Sequence, residues 1–451
     1  MAVPSGRGDR LGSRANIAIR MQPTSTTVTP GSRRERAAIV RLNTRALRGV
    51  DTEAALDELA GLVHAAGADV LLRVSQDRDL ADSATLIGRG KAEMLAAAVD
   101  ESDLDLVIVD NDLTPAQARN LEKVTKRRVI DRTALILDIF ARRARTREGQ
   151  MQVELAQLKY MLPRLAGSSE ALSRLGGGIG TRGPGETKLE TDRRRIRHRI
   201  SVIEDEIAIV QRRRGYLRAR RRRSDVPTVA LVGYTNAGKT TLFNQLTGAG
   251  AVASDALFVT LDPLMRRVKL PDARQVLVAD TVGFIERLPH QLVAAFHATL
   301  EEVAAADLLL HVVDASASDR DRHIAAVEKV LAEVDAEFVP VLMVFNKADR
   351  LSAAEREALA TSRPDALIVS ARDGDGLPGI IAALVTKLAM DAAHVTLEFD
   401  RADEADRALM ADLYRYGRVV NEISGAADRV SIEAEIPRRL LDRFVRTAGT
   451  T

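Results

Sequence analysis

The chain has 451 residues, a length that predicts roughly three domains and is ample for a sizeable hydrophobic core. It has no cysteine and no apolar run near the ~18 residues of a membrane span, which excludes a disulfide framework, a thiolate zinc site and a transmembrane segment. The N-terminus lacks the apolar stretch of a signal peptide, so we expect a cytoplasmic protein without stable membrane insertion, with peripheral membrane association left open.

The net charge of +3 is unevenly distributed. Residues 1–36 carry seven Arg against Asp9 and Glu35, a net charge of +5. Residues 188–223 carry Lys188 and thirteen Arg against five carboxylates, a net charge of +9, which leaves −11 for the rest of the chain. Two basic segments on an acidic body predict a polyanionic partner at defined places.

Residues 1–35 are rich in Ser, Thr, Pro, Gly and Arg without periodicity, and are predicted to be a disordered basic tail. Such a tail either contacts nucleic acid or has no role. Residues 36–145 alternate strand and helix patterns, which predicts a small parallel α/β domain. Its predicted strands are Ala37–Leu42, Asp69–Val74, Leu106–Val109 and Arg128–Asp131. Its predicted helices are Thr52–Ala66, Lys91–Val99 and Thr114–Val124. The glycine turn at 86–91 is either a helix entry or a second phosphate site.

Apolar residues then recur at spacings of four and three in two stretches, from Met151 to Leu165 and from Ile196 to Leu217. This pattern is typical of coiled-coil seams and predicts an antiparallel helical hairpin at 146–224. The glycine-rich segment 176–187 predicts a tip loop, which is either a contact loop or a plain flexible linker.

The arginine density of the second hairpin helix predicts phosphate contact. Aromatic residues are scarce there, which favours the backbone of folded RNA over stacking on single-stranded bases. The basic residues predicted to bind RNA are Arg182, Lys188, Arg193, Arg194 and Arg197.

Residues 225–391 open on the stretch TVALVGYTNAGKTT, which has the spacing G-x-x-x-x-G-K-[ST] of a P-loop. A buried strand, a tight glycine loop and a helix N-terminus would present backbone N–H groups to phosphate. Lys239 is predicted to reach the β- and γ-phosphates, and the Thr240 hydroxyl to bind Mg²⁺. The loop residues predicted to bind nucleotide are Gly233, Tyr234, Thr235, Asn236, Ala237, Gly238, Lys239, Thr240 and Thr241.

The run Asn346-Lys347-Ala348-Asp349 predicts that the nucleotide is GTP or GDP. The Asp349 carboxylate can accept hydrogen bonds from N1–H and the exocyclic amine of guanine, and adenine has no such donor pair. Ser370 and Ala371 close a last short strand behind the guanine ring.

Two further segments complete the order G1 to G5 of translation-factor-class GTPases, which this arrangement resembles. Asp280 ends a strand and is predicted to lie in the second coordination shell of Mg²⁺, and the Gly283 N–H to meet the γ-phosphate. Thr260 is predicted to contact Mg²⁺ and γ-phosphate, with Phe258 beside it at the nucleotide. Residues 254–270 are predicted to be switch I and residues 283–291 switch II, followed by a helix at 291–304. His311 is predicted to be a packed core residue.

Residues 392–451 are predicted to form a small α+β domain, either for docking or for stability. Its predicted strands are Val395–Phe399 and Arg429–Ile436, and its predicted helices are Ala402–Gly417 and Pro437–Phe444.

The segments QVELAQLKYMLPRL, GGGIGTRGPGETKLETDRR, GYTNAGKTTLFN, FVTLDP, DTVGFI and NKAD resemble the HflX family of bacterial GTPases over about residues 36–390. The resemblance implies a cytosolic GTPase that binds the 50S ribosomal subunit and its rRNA and dissociates stalled or idle 70S ribosomes. We expect a multidomain α/β fold and a monomer. A ribosome-assembly GTPase and a nucleotide-dependent rRNA-remodelling protein are the alternatives.

We assign catalysis to Lys239, Gly283 and Asn236. The residues at positions 284 and 236 indicate how hydrolysis would proceed. Phe284 stands where Ras-like enzymes have a water-positioning Gln, so we expect slow intrinsic hydrolysis that the ribosome stimulates. In the GTPases that this chain resembles, an Asn at the position of Asn236 helps to hold K⁺, which makes K⁺ a candidate cofactor beside Mg²⁺.

Overall fold

The computed structural model describes residues 33–45, 51–165, 188–223, 226–251, 257–258, 260–270, 275–287, 300, 302–388, 392–424 and 428–445. The predicted tail up to residue 32, the glycine-rich tip with Arg182, and most of the helix predicted after switch II lie outside these ranges. Lys188 begins a helix, and its side chain is likewise outside the described part.

The N-terminal elements form a parallel sheet flanked by helices, as predicted. Strand order is β2-β1-β3-β4, and all paired strands are parallel. Thr114 caps the third helix in a capping box with Gln117, and proline follows at the first turn. The elements are β1 (Glu35–Asn43), α1 (Thr52–Ala65), β2 (Ala68–Asp77), α2 (Arg89–Glu101), β3 (Leu106–Val109), α3 (Pro115–Thr125), β4 (Arg128–Asp131) and α4 (Arg132–Arg143).

The predicted hairpin helices are α5 (Arg147–Arg164) and α6 (Lys188–Arg223), and α5 ends one residue after Pro163. Their seam buries Met151 and Leu158 of α5 against Ile203 and Ile207 of α6. Ion pairs flank this seam, among them Arg199–Glu154 at 2.7 Å and Arg214–Glu148 at 2.7 Å. Part of the arginine content of α6 therefore serves packing within the hairpin.

The third unit is a six-stranded sheet of order β10-β9-β8-β5-β7-β6, in which only β6 is antiparallel to its neighbour. Parallel strands bring their carboxyl ends to one edge, and the predicted nucleotide motifs follow β5, β7, β9 and β10 at that edge. The elements are β5 (Thr228–Val232), α7 (Lys239–Thr247), β6 (Leu264–Lys269), β7 (Gln275–Asp280), β8 (Leu308–Asp314), α8 (Arg320–Glu333), β9 (Val341–Asn346), α9 (Ala353–Ser362), β10 (Leu367–Ile368) and α10 (Leu377–Lys387).

One apolar core joins the N-terminal unit to this sheet. It contains Leu59 of α1 and Phe140 of α4 together with Phe258, Phe284 and Ile285 of the nucleotide loops. The nucleotide loops are therefore packed on one side against the N-terminal unit.

The C-terminal unit is a three-stranded antiparallel sheet of order β11-β13-β12 with one main helix. The predicted last helix is instead a 3₁₀ turn, Arg438–Leu440, followed by a short α-helix. The elements are β11 (Ala392–Asp400), α11 (Glu404–Tyr416), β12 (Arg418–Ser424), β13 (Arg429–Pro437) and α12 (Leu441–Val445). None of the described helices combines the length and apolar character needed to cross a membrane.

Candidate nucleotide site

The loop between β5 and α7 has the form of a phosphate cradle. Gly238 adopts φ +91° before the first turn of α7, and a Cβ there would overlap the side-chain amide of Asn346. That amide donates to the Ala237 carbonyl at 2.9 Å, which ties the P-loop to the end of β9. Asn236, exposed in the middle of the loop, is also left-handed at φ +58°.

Lys239 lies inside this loop. Its ammonium donates to the carbonyls of Gly233 at 3.0 Å and Tyr234 at 2.8 Å, and burial lowers its pKa to about 8. The backbone of Gly283 lies so close to Lys239 and Thr235 that a side chain there would clash with both. The structure thus brings two of the predicted catalytic residues, Lys239 and Gly283, side by side.

The predicted Mg²⁺ residues form one cluster. The Thr240 hydroxyl donates to Asp280 Oδ2 at 2.8 Å, and the Thr260 hydroxyl lies 3.1 Å from the same oxygen and 2.9 Å from Thr240 Oγ1. Asp280 is fully buried. Thr241 follows in the same helical turn and is half-buried.

This cluster fits Mg²⁺ in its chemistry. Asp280 Oδ1 of this cluster and Thr235 Oγ1 of the P-loop are two of the five buried side-chain N or O atoms that lack a hydrogen-bond partner among the described residues. Hydroxyl and carboxylate oxygens are ligands that Mg²⁺ prefers, and it commonly keeps several waters. No group of three His, Cys, Asp or Glu side chains suited to a metal occurs in the described ranges. The side-chain oxygens that this cluster offers are those of Thr240, Thr260 and Asp280.

The predicted guanine loops also meet. The Asn346 side chain accepts from the Ala371 N–H at 2.9 Å, and the Ser370 hydroxyl donates to Asp349 at 2.9 Å. Lys347 pairs with Asp314 at the end of β8 at 2.7 Å. These bonds fix the loops after β9 and β10 against each other, with the Asp349 residue exposed.

Phe258 points away from this cluster. Its ring lies edge-on to Phe140 of α4, with ring centroids 4.6 Å apart, in the core shared with the N-terminal unit. The side chain of this predicted nucleotide-binding residue therefore packs in the core. His311 is buried in β8 as predicted, and burial lowers its pKa to about 4, which makes it neutral near pH 7.

Sequence reasoning missed a polar network that links the loops to the N-terminal unit. The Tyr234 hydroxyl donates to Glu58 of α1 and accepts the Glu286 N–H at 2.9 Å, while its ring stacks on His323 at 3.8 Å. Arg132 pairs with Glu58 and donates to the Glu286 carbonyl at 3.0 Å. Tyr234 of the P-loop is thereby bonded to Glu58 and the Glu286 carbonyl to Arg132, and these two side chains of the N-terminal unit pair with each other.

Asp110, at the end of β3, is a second centre of this network. Arg41, Arg132 and Arg287 all pair with its buried carboxylate. Burial raises the pKa of Asp110, but Arg132 and Arg287 outweigh burial and hold it below its usual value. Nothing in the local sequence signals these contacts, because the partners are far apart along the chain.

The predicted RNA-binding residues within the described range lie on α6. Arg194 and Arg197 are exposed, and Arg193 is half-buried with its Nε lacking a partner.

The parallel sheet, the P-loop and the two predicted guanine loops after β9 and β10 identify the class of protein as a P-loop GTPase. "GTPase HflX" of Caldanaerobacter subterraneus is 45% identical over 90% of this chain and 93% of its own length. "GTPase HflX" of Escherichia coli is 45% identical over 85% of this chain and 89% of its own length. The chain belongs to the HflX GTPase family.

Three family descriptions match successive parts of the chain. They are "GTP-binding GTPase N-terminal" at 53–141, "GTP-binding GTPase Middle Region" at 143–221 and "50S ribosome-binding GTPase" at 228–347. Among solved structures, a GTP-binding protein of Sulfolobus solfataricus in complex with GDP is 23% identical, covers 78% of this chain and 98% of its own, and has a TM-score of 0.42.

Proposed function

We propose that this GTPase binds the 50S ribosomal subunit and uses GTP to dissociate stalled or idle 70S ribosomes. The observation that carries the proposal is the network around Glu58 and Arg132. It joins the nucleotide loops, through Tyr234 and Glu286, to the unit that precedes the basic hairpin. The description "50S ribosome-binding GTPase", which matches residues 228–347, supports the choice of partner.

In the proposed site, backbone N–H groups of the P-loop and the Lys239 ammonium hold the β- and γ-phosphates. The Gly283 N–H meets the γ-phosphate, and Asp349 selects guanine. Thr240 and Thr260 would hold Mg²⁺ directly and Asp280 through water. When bound, Mg²⁺ neutralises the negative charge on the phosphates.

Phe284 supports slow intrinsic hydrolysis. Its N–H donates to the Gly233 carbonyl at 3.1 Å, its carbonyl accepts from the Thr235 N–H at 2.8 Å, and the residue is 1% exposed in the shared core. An apolar ring that is held in this way cannot orient a water molecule by hydrogen bonding. We propose that backbone groups or the ribosome position the attacking water.

A cavity of about 270 Å³ beside Asn236 bears on K⁺ as a second cofactor. Asn236, Thr235 and Asp314 are among the residues that line it, so side-chain oxygens lie close to the loop. K⁺ held by Asn236 would add positive charge next to the phosphates.

The exposed arginines of α6 are the proposed rRNA contacts. Binding that depends on phosphate contacts weakens steeply as the salt concentration rises. Arginine-rich helices suit the backbone of folded RNA. Arg199 and Arg214 pair with Glu154 and Glu148 of α5, so changing them would also disturb the packing of the hairpin. Arg194 and Arg197 are exposed and are therefore the residues chosen for the test.

The test combines sedimentation with sucrose-gradient analysis. With a non-hydrolysable GTP analogue, the wild-type chain should co-sediment with 50S subunits and convert purified 70S ribosomes to subunits. The double change Arg194→Glu and Arg197→Glu should abolish both, whereas lysine at both positions should retain binding. The control is Arg363→Glu, an exposed arginine of the GTPase unit that pairs with Asp321.

Two results would overturn parts of the proposal. Binding of the doubly charge-reversed variant at wild-type affinity would remove α6 as the rRNA contact. Tight binding to 50S without any splitting of 70S would favour the alternative, a ribosome-assembly GTPase.

A further inference from the structure

Asp262, in switch I, binds the N-terminus of the first hairpin helix. Its Oδ2 accepts from the backbone N–H groups of Arg145 and Thr146, each at 2.9 Å, and its Oδ1 accepts from the Thr146 hydroxyl. Thr146 is the N-cap of α5, and its oxygen also accepts from the Gly149 N–H at 3.0 Å. A carboxylate is favourable here because these N–H groups lack intrahelical partners and carry partial positive charge.

Gly149 makes room for this carboxylate. A Cβ at Gly149 would lie 2.5 Å from Asp262 Oδ1 and 3.2 Å from Thr146 Oγ1, so any other residue would push Asp262 away. Glycine is a poor helix former, and α5 nevertheless carries it in the first turn, where Asp262 approaches.

The same short segment reaches the nucleotide site. Thr260, two residues before Asp262, has its hydroxyl 3.1 Å from Asp280 and 2.9 Å from Thr240. Leu261 between them is buried in the shared core, and Phe258 packs on Phe140. Switch I is therefore held at Thr260 by the nucleotide site and at Asp262 by the hairpin.

We propose that Asp262 and Thr146 are positioning residues for GTP hydrolysis. The N-terminus of α5 holds Asp262, and Asp262 keeps Thr260 where its hydroxyl and carbonyl meet Mg²⁺ and the γ-phosphate. A partner that moves the hairpin would therefore alter the hydrolysis rate through this contact. The inference rests on the proposed nucleotide site, and specifically on the role of Thr260.

The first test is Asp262→Ala in the full chain. We expect kcat for GTP to fall roughly tenfold to a hundredfold, as when a positioning contact is lost. The Kd for GDP should stay within about twofold, because Asp262 acts only where the γ-phosphate is present. The Mg²⁺ concentration for half-maximal turnover should rise, since Thr260 is less well placed.

Gly149→Ala separates positioning from helix stability. Alanine is the better helix former but its Cβ would overlap Asp262, so a merely structural role for this turn predicts a change in Tm of either sign with an unchanged kcat. Our inference predicts a lower kcat, because the added Cβ displaces the Asp262 carboxylate. In the double variant with Asp262→Ala, the alanine at 149 should cause no further loss of kcat.

The matched control is Gly215→Ala in α6, where an added Cβ meets nothing within 4 Å. Its kcat should equal that of the wild type. If Asp262→Ala does not fold, Gly149→Ala and its control decide the question alone.

Thr260→Ala distinguishes the two levels of the proposal. Full activity of this variant would overturn the proposed role of Thr260 at the nucleotide site, and this inference with it. A slow Thr260→Ala beside an Asp262→Ala or Gly149→Ala variant of wild-type kcat would overturn only the positioning role. A GDP affinity that falls in proportion to kcat would also overturn it, because the effect would then be general to the site.

Discussion

The Tyr234 hydroxyl of the P-loop donates a hydrogen bond to Glu58, a residue 176 positions earlier in the N-terminal unit. Tyr234 is buried, and burial together with the adjacent Glu58 carboxylate raises its pKa well above the usual value. The phenol therefore stays protonated and donates at any physiological pH. This bond makes the N-terminal unit part of the wall of the phosphate loop.

We expect Tyr234→Phe to lower the free energy of unfolding by about 1–3 kcal/mol, because a partly buried carboxylate loses a hydrogen-bond donor. A double-mutant cycle with Glu58→Gln should give a coupling energy of about 1 kcal/mol or more. Urea titration measures both. The matched control is Tyr414→Phe, since Tyr414 makes the same kind of bond to Glu422 but is exposed in the C-terminal unit. A Tyr234→Phe effect as small as the control's would contradict the prediction.

Asp138 of α4 should make the protein less stable at neutral pH. Burial raises its pKa to about 6, above the 3.8 of the unfolded chain, although Arg128 and Arg142 favour the charged form. The folded state favours the protonated carboxyl of Asp138. The stability that this carboxyl contributes is therefore fully present below pH 3.8 and is lost as pH rises through about 6. Asp138→Asn should therefore raise the free energy of unfolding by about 1–3 kcal/mol at pH 8.

Unfolding titrations of wild type and Asp138→Asn across this pH range check the sign. The difference between the two proteins should shrink towards pH 4, where the wild-type carboxyl is protonated in the folded state. A difference that is constant with pH would contradict the raised pKa of Asp138 in the folded state.

Asp349→Asn should switch base preference. Two hydrogen bonds to a charged acceptor are lost, so GTP affinity should fall by roughly a hundredfold or more. Xanthosine triphosphate should gain affinity, because its 2-carbonyl accepts from the new amide. Calorimetry measures both. Asp373→Asn is the control, since Asp373 shares the Ser370 hydroxyl at 2.9 Å without a predicted base contact. Equal losses in the two variants would contradict the assignment.

Turnover of GTP should be faster in KCl than in NaCl at equal ionic strength, if K⁺ supplies charge beside Asn236. Asn236→Gly should abolish the difference, and glycine tolerates the φ of +58° without strain. The affinity for a GTP analogue, measured in both salts, provides a readout besides turnover. Equal wild-type rates in the two salts would remove K⁺ from the mechanism.

Elements with a strong local pattern were predictable. The parallel N-terminal strands, the two hairpin helices and the P-loop all follow from periodicity and glycine placement within short windows. The helix α4 was not predicted, because it is packed against both the N-terminal unit and the nucleotide loops. Leu135, Ile136, Leu137, Ile139 and Phe140 form an almost continuous buried apolar run, and such a run fits a buried strand as well as a helix when only the sequence is read.

By itself, the sequence determined the chemistry of the phosphate and base loops, because the residues that make each loop are neighbours along the chain. Only the tertiary structure decided which partners hold those loops. The Asp262–Thr146 and Arg287–Asp110 contacts join residues 116 and 177 positions apart. Such pairs leave no local pattern, because a carboxylate that folding brings to a helix end or an arginine cluster looks in sequence like any solvated charge.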